Sequence, residues 1–333
     1  MCIGASATTG GQWAGELIRR LTDTSGDGTP YNPTGLGISN VKLVGRKKGI
    51  VNPVPLEATG GWKVQSYGSK GETAFRLYVT GISQLNIGDT YKHINGGVFV
   101  IQEINVDASN GAGNIRCTFN SSIPDIPDNG ILTIISGNGD STISYSSYEK
   151  ESFSPFWNDA EQRIDFKSYA DTFCNGSLDF LIWHCGVNDI IGRSESALTD
   201  TINAFKDILR AYHSDFPNGK VIISSPPIGC LSGGMAANYG CSELMMEFPA
   251  AIQFRKYSRL LSELCLNDEF REFVCYAPSL EQFDSENGYP TSPIAVNNRC
   301  SEVELIGTNG VHPTDHGSYM VADTIYRTIS DML

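Results

Sequence analysis

No stretch of this 333-residue chain approaches the roughly 18–20 consecutive apolar residues that a membrane helix needs, and no membrane span is expected. The opening Met1-Cys2-Ile3-Gly4 lacks both the basic and the apolar region of a secretory leader. Basic residues are scarce: 24 Lys and Arg stand against 37 Asp and Glu, a net charge of −13 that excludes a nucleic-acid surface. The basic cluster Arg46-Lys47-Lys48 is short and reads as a solvated loop. No C-x-x-C, H-x-H or H-E-x-x-H occurs, so zinc ribbons, thioredoxin chemistry and the common metallohydrolases have no support, and neither metal nor cofactor is expected. The nine cysteines are an odd number and too few for a disulfide scaffold of this length. Cys230 and Cys241 flank a Gly-rich loop and can bridge in an oxidising compartment; buried free thiols fit equally well.

What is present is ordinary for a globular protein: 40% apolar and 18% charged residues, in a chain long enough for one large α/β domain with an insertion, or for two domains. Trp13, Leu17 and Leu21 recur at a spacing of four, which predicts a helix after the turn Thr8-Thr9-Gly10-Gly11. Only Cys2-Ile3 precedes that turn, a stub where a strand usually takes about five residues, as if the chain were truncated or its start misplaced. Between Glu72 and Tyr148 the texture is all β. Phe75–Val79, Val98–Ile101, Ile115–Phe119, Leu132–Ile135 and Thr142–Tyr145 are short β-branched or aromatic runs, separated by turns such as Asn95-Gly96-Gly97 and Asp128-Asn129-Gly130. After Phe153–Trp157 the α/β texture returns. Leu178–Trp183 reads as a buried parallel strand and Leu198–Tyr212 as an amphipathic helix. Val221–Ser225 and Phe273–Tyr276 read as strands, Ile252–Leu266 and the segment carrying Met320, Val321, Ile325 and Ile329 as helices. The fold class is therefore α/β with a mostly parallel central sheet covered on both faces, built from residues 1–70 and 150–333, with an all-β module inserted at 71–149.

Three segments sit where α/β proteins place ligands, at strand ends. Ile3-Gly4-Ala5-Ser6-Ala7-Thr8 holds a serine among small residues between strand and helix. Cys185-Gly186-Val187-Asn188-Asp189 follows the most apolar strand, and Thr308-Asn309-Gly310-Val311-His312-Pro313 precedes the last helix. Singly, each has a plain structural reading as a cap or a turn. With only five histidines, however, the choice of a catalytic base is narrow. His93 falls in the β module, His184 inside a buried strand, His213 at a helix end and His316 on the outer side of the last helix, which leaves His312.

Taken together, the order of these blocks resembles the motif set of the SGNH (GDSL-type) serine hydrolases. Gly4-Ala5-Ser6 resembles G-D-S, Gly186-Val187-Asn188-Asp189 matches G-x-N-D, and Asn309-Gly310-Val311-His312-Pro313 resembles D-x-x-H-P. The family's glycine block falls in Glu57–Trp62, at Gly61 rather than Gly60. The resemblance implies a three-layer flavodoxin-like hydrolase fold and acyl transfer without a cofactor. Ser6 would be the nucleophile and His312 its base, with an oxyanion hole made by the backbone N–H groups of Ser6 and Gly61 and the amide of Asn188. Trp62 and Asp189 are candidate substrate-binding side chains. Two positions depart from the pattern: Ala5 stands where the family has Asp, and Asn309 stands where the triad acid is expected. Asn309 is expected to orient His312 by accepting from Nδ1–H, with Asp315 as the alternative source of charge.

The leading expectation is an esterase that deacetylates a carbohydrate or polysaccharide, with Trp62, Trp157 and the Leu231–Tyr239 loop lining a cleft; core or ordinary loop is the structural alternative for those residues. A lipase or thioesterase of the same family is another. From a different class comes a glycan-binding or virion- or cell-surface structural protein with a degenerate site, motivated by the β module, the acidic surface and Asn309. Compartment and oligomeric state are not legible in the sequence.

Overall fold

The five parallel strands of the main sheet run in the spatial order 2-1-3-4-5, the doubly wound order of flavodoxin-like folds. In this computed structural model they are β1 (Cys2–Gly4), β3 (Pro55–Ala58), β12 (Phe180–His184), β13 (Lys220–Ser224) and β14 (Val274–Ala277). β2 (Lys47–Lys48) adds an antiparallel edge beside β3. The described residues are 1–29, 32–60, 62–69, 73–94, 97–107, 109–119, 129–152, 154–191, 195–227 and 243–332. They divide into two compact units, Met1–Gln65 with Asp165–Leu333, and Ser66–Ile164.

In the first unit the stub at the start of the chain is a central strand. β1 pairs with β12 through Cys2↔Ile182, Ile3↔Trp183 and Gly4↔His184, and with β3 on its other side. The Met1 nitrogen adds a rung by donating to the Phe180 carbonyl at 2.7 Å. Because strand side chains alternate, this sheet buries two faces. Cys2, Ile182 and Ile222 pack with α2 (Gln12–Thr22) and the last helix α9 (Asp315–Ser330), whose Trp13, Leu17, Leu21, Val321, Ile325 and Ile329 complete that core. Trp183 points the other way, edge-on to Phe205 of α6 (Glu195–Asp215) with ring centroids 5.7 Å apart. α4 (Phe166–Phe173) and α7 (Glu243–Cys265) also belong to this unit. The result is three layers, helix on sheet on helix.

Arg46-Lys47-Lys48 is not a solvated loop. Lys47 and Lys48 form β2, and Arg46 grips the carboxylate of Glu57, which is 0% exposed, through Nη2–Oε1 at 3.0 Å and Nε–Oε2 at 3.3 Å. The Tyr169 hydroxyl donates to the same carboxylate at 2.8 Å. A buried acid needs such partners, and the burial of Glu57 has no signature in its sequence neighbours.

The second unit is a closed barrel of six antiparallel strands in the order β4-β7-β6-β5-β8-β9. They are β4 (Thr73–Val79), β5 (Thr90–His93), β6 (Val98–Asp107), β7 (Ala112–Phe119), β8 (Gly130–Ser136) and β9 (Thr142–Ser152). Phe75, Leu77 and Val79, Phe99 and Ile101, Ile115 and Cys117, and Ile143 and Tyr145 alternate into its core. The polar β5 gave no pattern in the sequence. β10 (Trp157–Asn158) and β11 (Arg163–Ile164) form a hairpin that extends this unit past residue 149.

The seven described cysteines are unpaired; Cys230 and Cys241 lie outside the described residues, as does Leu231–Tyr239. Among the described residues no helix is long and apolar enough to cross a membrane.

Candidate active site

The sheet order reverses between β1 and β12, and in open α/β sheets the crevice beyond such a point is where ligands bind. Ser6 follows β1 there, and Gly186–Asp189 follow β12. Gly4 is what lets the chain turn so tightly: a Cβ on it would stand 2.0 Å from Thr8 Oγ1 and 2.7 Å from the His184 carbonyl oxygen. Ser6 is half-buried, the first residue of the single turn α1 (Ser6–Thr9), and its hydroxyl has no hydrogen-bond partner among the described residues.

The turn after β3 lies against Ser6. Thr59 N donates to the Gly4 carbonyl at 3.2 Å, and a Cβ on Gly60 would be 3.9 Å from Ser6 Cβ. Gly61, the expected oxyanion donor, lies outside the described residues. Trp62 is 7% exposed, which leaves its indole little surface for a ligand; what it offers is its carbonyl, which accepts from Asn188 Nδ2 at 2.9 Å. One hydrogen of the Asn188 amide is thereby held, and the other has no partner among the described residues.

Asp189 was expected to meet substrate, but it is turned inward and 2% exposed. Its carboxylate accepts from Val64 N at 3.2 and 3.3 Å and from Thr201 Oγ1 at 3.2 Å. Burial pushes its pKa up to about 7, against the lowering effect of those hydrogen bonds. Asn188 and Asp189 thus tie the turn after β12 to the turn after β3 by two neighbouring links, an arrangement invisible in the sequence. Gly186 makes room for it: its φ is +127°, and a Cβ would be 2.4 Å from the Tyr257 ring.

His312 stands just before α9, whose first turn is capped by Thr314 Oγ1 accepting from Gly317 N at 3.1 Å. Asn309 does not present its oxygen to His312. Its Oδ1 accepts from the backbone N–H groups of Val311 and His312, both at 2.9 Å, and its Nδ2 lies 3.3 Å from His312 Nδ1. Turning the amide over would set its NH2 against two N–H donors, so the hydrogen bonds fix the assignment. An amide that donates to Nδ1 leaves the proton of a neutral imidazole on Nε2, the reverse of the tautomer a base toward serine needs. Asp315 does not supply the missing acceptor. Its described partner is Gln12 Nε2 at 3.4 Å, and no described carboxylate bonds His312. Burial holds the His312 pKa below the ordinary histidine value.

Ser6 and His312 line one cleft of about 270 Å³ together with Ala7, Thr9, Gln12 and Pro313. Ser6 also lines a second pocket, of about 10 Å³, with Ala5, Ala7, Val187, Phe254 and Val311. His184, on the wall of that pocket, is a core residue. Its Nδ1 is 3.0 Å from Ser224 Oγ, its ring meets Trp13 edge-on, and burial pushes its pKa down to about 4. Ser224 in turn bonds Ser279 at 2.7 Å, a buried chain for which the Ser224-Ser225 pair at a strand end was the only signal.

No protein-family profile matches the chain. No curated protein matches it either. Three solved structures to which it is similar are esterases. An acetyl esterase variant solved with acetate ion is 11% identical, with 100% of this chain and 96% of that one covered and a TM-score of 0.40. A peptidoglycan O-acetylesterase is 12% identical over 99% of this chain and 90% of its own, with a TM-score of 0.39. A carbohydrate acetylesterase family member from Sinorhizobium meliloti is 15% identical over 50% of this chain and 67% of its own, with a TM-score of 0.33.

Proposed function

We propose that this protein is a serine ester hydrolase that removes a small acyl group, acetyl foremost, from a carbohydrate or polysaccharide. The observation that carries the reading is that Ser6 lines a pocket of about 10 Å³, room for about one water-sized group and hence for an acetyl methyl. Ser6 Oγ attacks the ester carbonyl while His312 Nε2 takes its proton, then returns it to the leaving alcohol. The oxyanion is met by the Ser6 N–H, the second Asn188 N–H and, as the motif resemblance implies, the Gly61 N–H. Removal of one such donor costs about 2.7–4 kcal/mol.

For this cycle His312 must first move its proton from Nε2 to Nδ1, giving up the neutral hydrogen bond to Asn309. That costs about 0.5–1.5 kcal/mol, a factor of roughly 2–13 in rate. In all, an asparagine in place of the triad acid, through the wrong tautomer and the missing charge together, costs about 10⁴ in kcat. The protein as sequenced is therefore a slow esterase.

Hydrolysis of p-nitrophenyl acetate tests it, with the wild type compared with Ser6→Ala and His312→Ala. Because the acid is already missing and triad losses are not additive, each substitution is expected to lower the rate by about 10–100-fold, and a fluorophosphonate should label Ser6. A wild-type rate unaffected by either substitution sinks the reading. The octanoate ester should be a much poorer substrate than acetate; the opposite order would favour a lipase. The orientation of the Asn309 amide favours a second reading, a glycan-binding or surface structural protein with a decayed site. That reading predicts no Ser6-dependent hydrolysis even after Asn309→Asp.

A further inference from the structure

We propose that Asn309 is a self-modification site: attack by the backbone nitrogen of Gly310 on its side-chain amide converts it to aspartate, and the new carboxylate supplies the acceptor that His312 lacks. The inference rests on the Ser6–His312 reading for its catalytic consequence, though not for the modification itself.

The local chemistry favours the attack. Gly310 carries no side chain to obstruct its nitrogen as it closes the five-membered ring on Asn309 Cγ. Charge develops on Oδ1 when the ring closes, and Oδ1 already accepts from Val311 N and His312 N at 2.9 Å each. Two backbone donors on a developing oxyanion are the arrangement that lowers the barrier to acyl transfer. The group that must leave, Nδ2, lies 3.3 Å from the unprotonated His312 Nδ1, a ring nitrogen able to take up the Gly310 proton and relay it to the departing amine. Asn309 is half-buried, so water can reach the product.

The steps balance with water as the only co-reactant. The Gly310 N–Cγ bond forms, the Gly310 proton passes to the departing amine, the Cγ–Nδ2 bond breaks and ammonia leaves a succinimide. Water then adds at Cγ, the Cγ–N bond breaks, and the proton returns to Gly310 N. The backbone is restored, now with a carboxylate at position 309. One of its oxygens keeps the two N–H bonds, and the other takes the place of Nδ2 opposite His312 Nδ1. A carboxylate there draws the proton to Nδ1 and frees the Nε2 lone pair for Ser6.

The experiment ages purified full-length protein in mild alkali and follows three quantities. Peptide mass mapping separates asparagine, aspartate and isoaspartate at position 309, NMR follows the titration of His312, and p-nitrophenyl acetate reports the rate. The expected result is aspartate at 309 accumulating with time, an upward shift of the His312 pKa, and a Ser6-dependent rate that rises with the aspartate fraction by at least about 10-fold, toward that of Asn309→Asp. Asn309→Gln, whose longer amide closes the ring poorly, should stay at its starting rate. Three results overturn the proposal: no conversion at 309, isoaspartate alone, or conversion that leaves the His312 titration unchanged. If conversion and the titration shift occur but neither aged protein nor Asn309→Asp hydrolyses the ester, the modification stands and the esterase reading falls.

Discussion

Asp189→Asn is the substitution whose effect can be worked furthest from the structure. The carboxyl is 2% exposed and its pKa is raised from an ordinary 3.8 to about 7, with burial as the leading cause. A folded-state pKa above the unfolded value means that folding binds a proton as pH rises. Below about 4 both states are protonated and Asp189 contributes nothing to the pH dependence. Between about 4 and 7 the unfolded chain ionises while the folded chain resists, so stability falls; above about 7 the loss is complete and constant. At about 1.4 kcal/mol per pKa unit the loss is about 4 kcal/mol. The amide of the variant does not titrate. Its oxygen can keep the Val64 N–H and its NH2 can donate to Thr201 Oγ1, whose single proton then turns from residue 189 to the Ala197 carbonyl 2.8 Å away. Urea unfolding of both proteins at about pH 4 and about pH 8 gives the test. Every other titrating group is common to the two chains and cancels in the difference. The stability gap should move by about 4 kcal/mol in favour of Asp189→Asn as pH rises. A gap constant to within about 1 kcal/mol would refute both the burial argument and the inward orientation of the carboxylate.

Three further substitutions probe the same unit. Asn188→Ala should lower kcat by about 10²–10³ and leave KM within a few-fold, because the second amide hydrogen acts on the oxyanion; a change confined to KM would assign Asn188 to ground-state binding instead. Gly186→Ala should cost roughly 2–4 kcal/mol in denaturant unfolding, since φ is +127° and the new Cβ meets the Tyr257 ring; a loss under about 1 kcal/mol would show that the ring gives way. Arg46→Ala should cost about 3–5 kcal/mol by stranding the buried Glu57 carboxylate, and adding Glu57→Gln should restore part of it; strict additivity of the two would mean they do not interact.

Much of the fold was legible because burial leaves a period. Trp13, Leu17 and Leu21 mark a helix face, Leu181-Ile182-Trp183 a strand buried on both sides, and Phe75, Leu77 and Val79 a barrel wall. What escaped were elements whose order comes from partners distant in sequence. β1 is a full central strand despite its length because β3 and β12 bond it on both sides, so its stability resides in residues far down the chain. β5 is mostly polar and is held by β6 and β8. Glu57 is acidic in a strand, and only the fold brings Arg46 and Tyr169 to it.

The site was legible as an order of motifs and illegible as a set of orientations, and Asn309 shows why. An asparagine at a triad position invites the expectation that its oxygen serves the histidine. The same oxygen is also the natural acceptor for backbone N–H groups two and three residues on, the ordinary Asx turn, and that local signal was present in Asn309-Gly310-Val311-His312. The two demands compete for one atom. Two backbone donors at 2.9 Å outweigh a single ring nitrogen, so the oxygen turns to the backbone and the NH2 is left for His312. An aspartate would face no such competition, because it has an oxygen for each demand. The departure at this position is therefore a loss of one acceptor, not a rearrangement of the loop. For that reason Asn309→Asp should leave stability within about 0.5–1 kcal/mol of wild type while changing the rate severalfold or more. A large loss of stability in that variant would mean that the backbone N–H groups of Val311 and His312 are not what holds the amide in place.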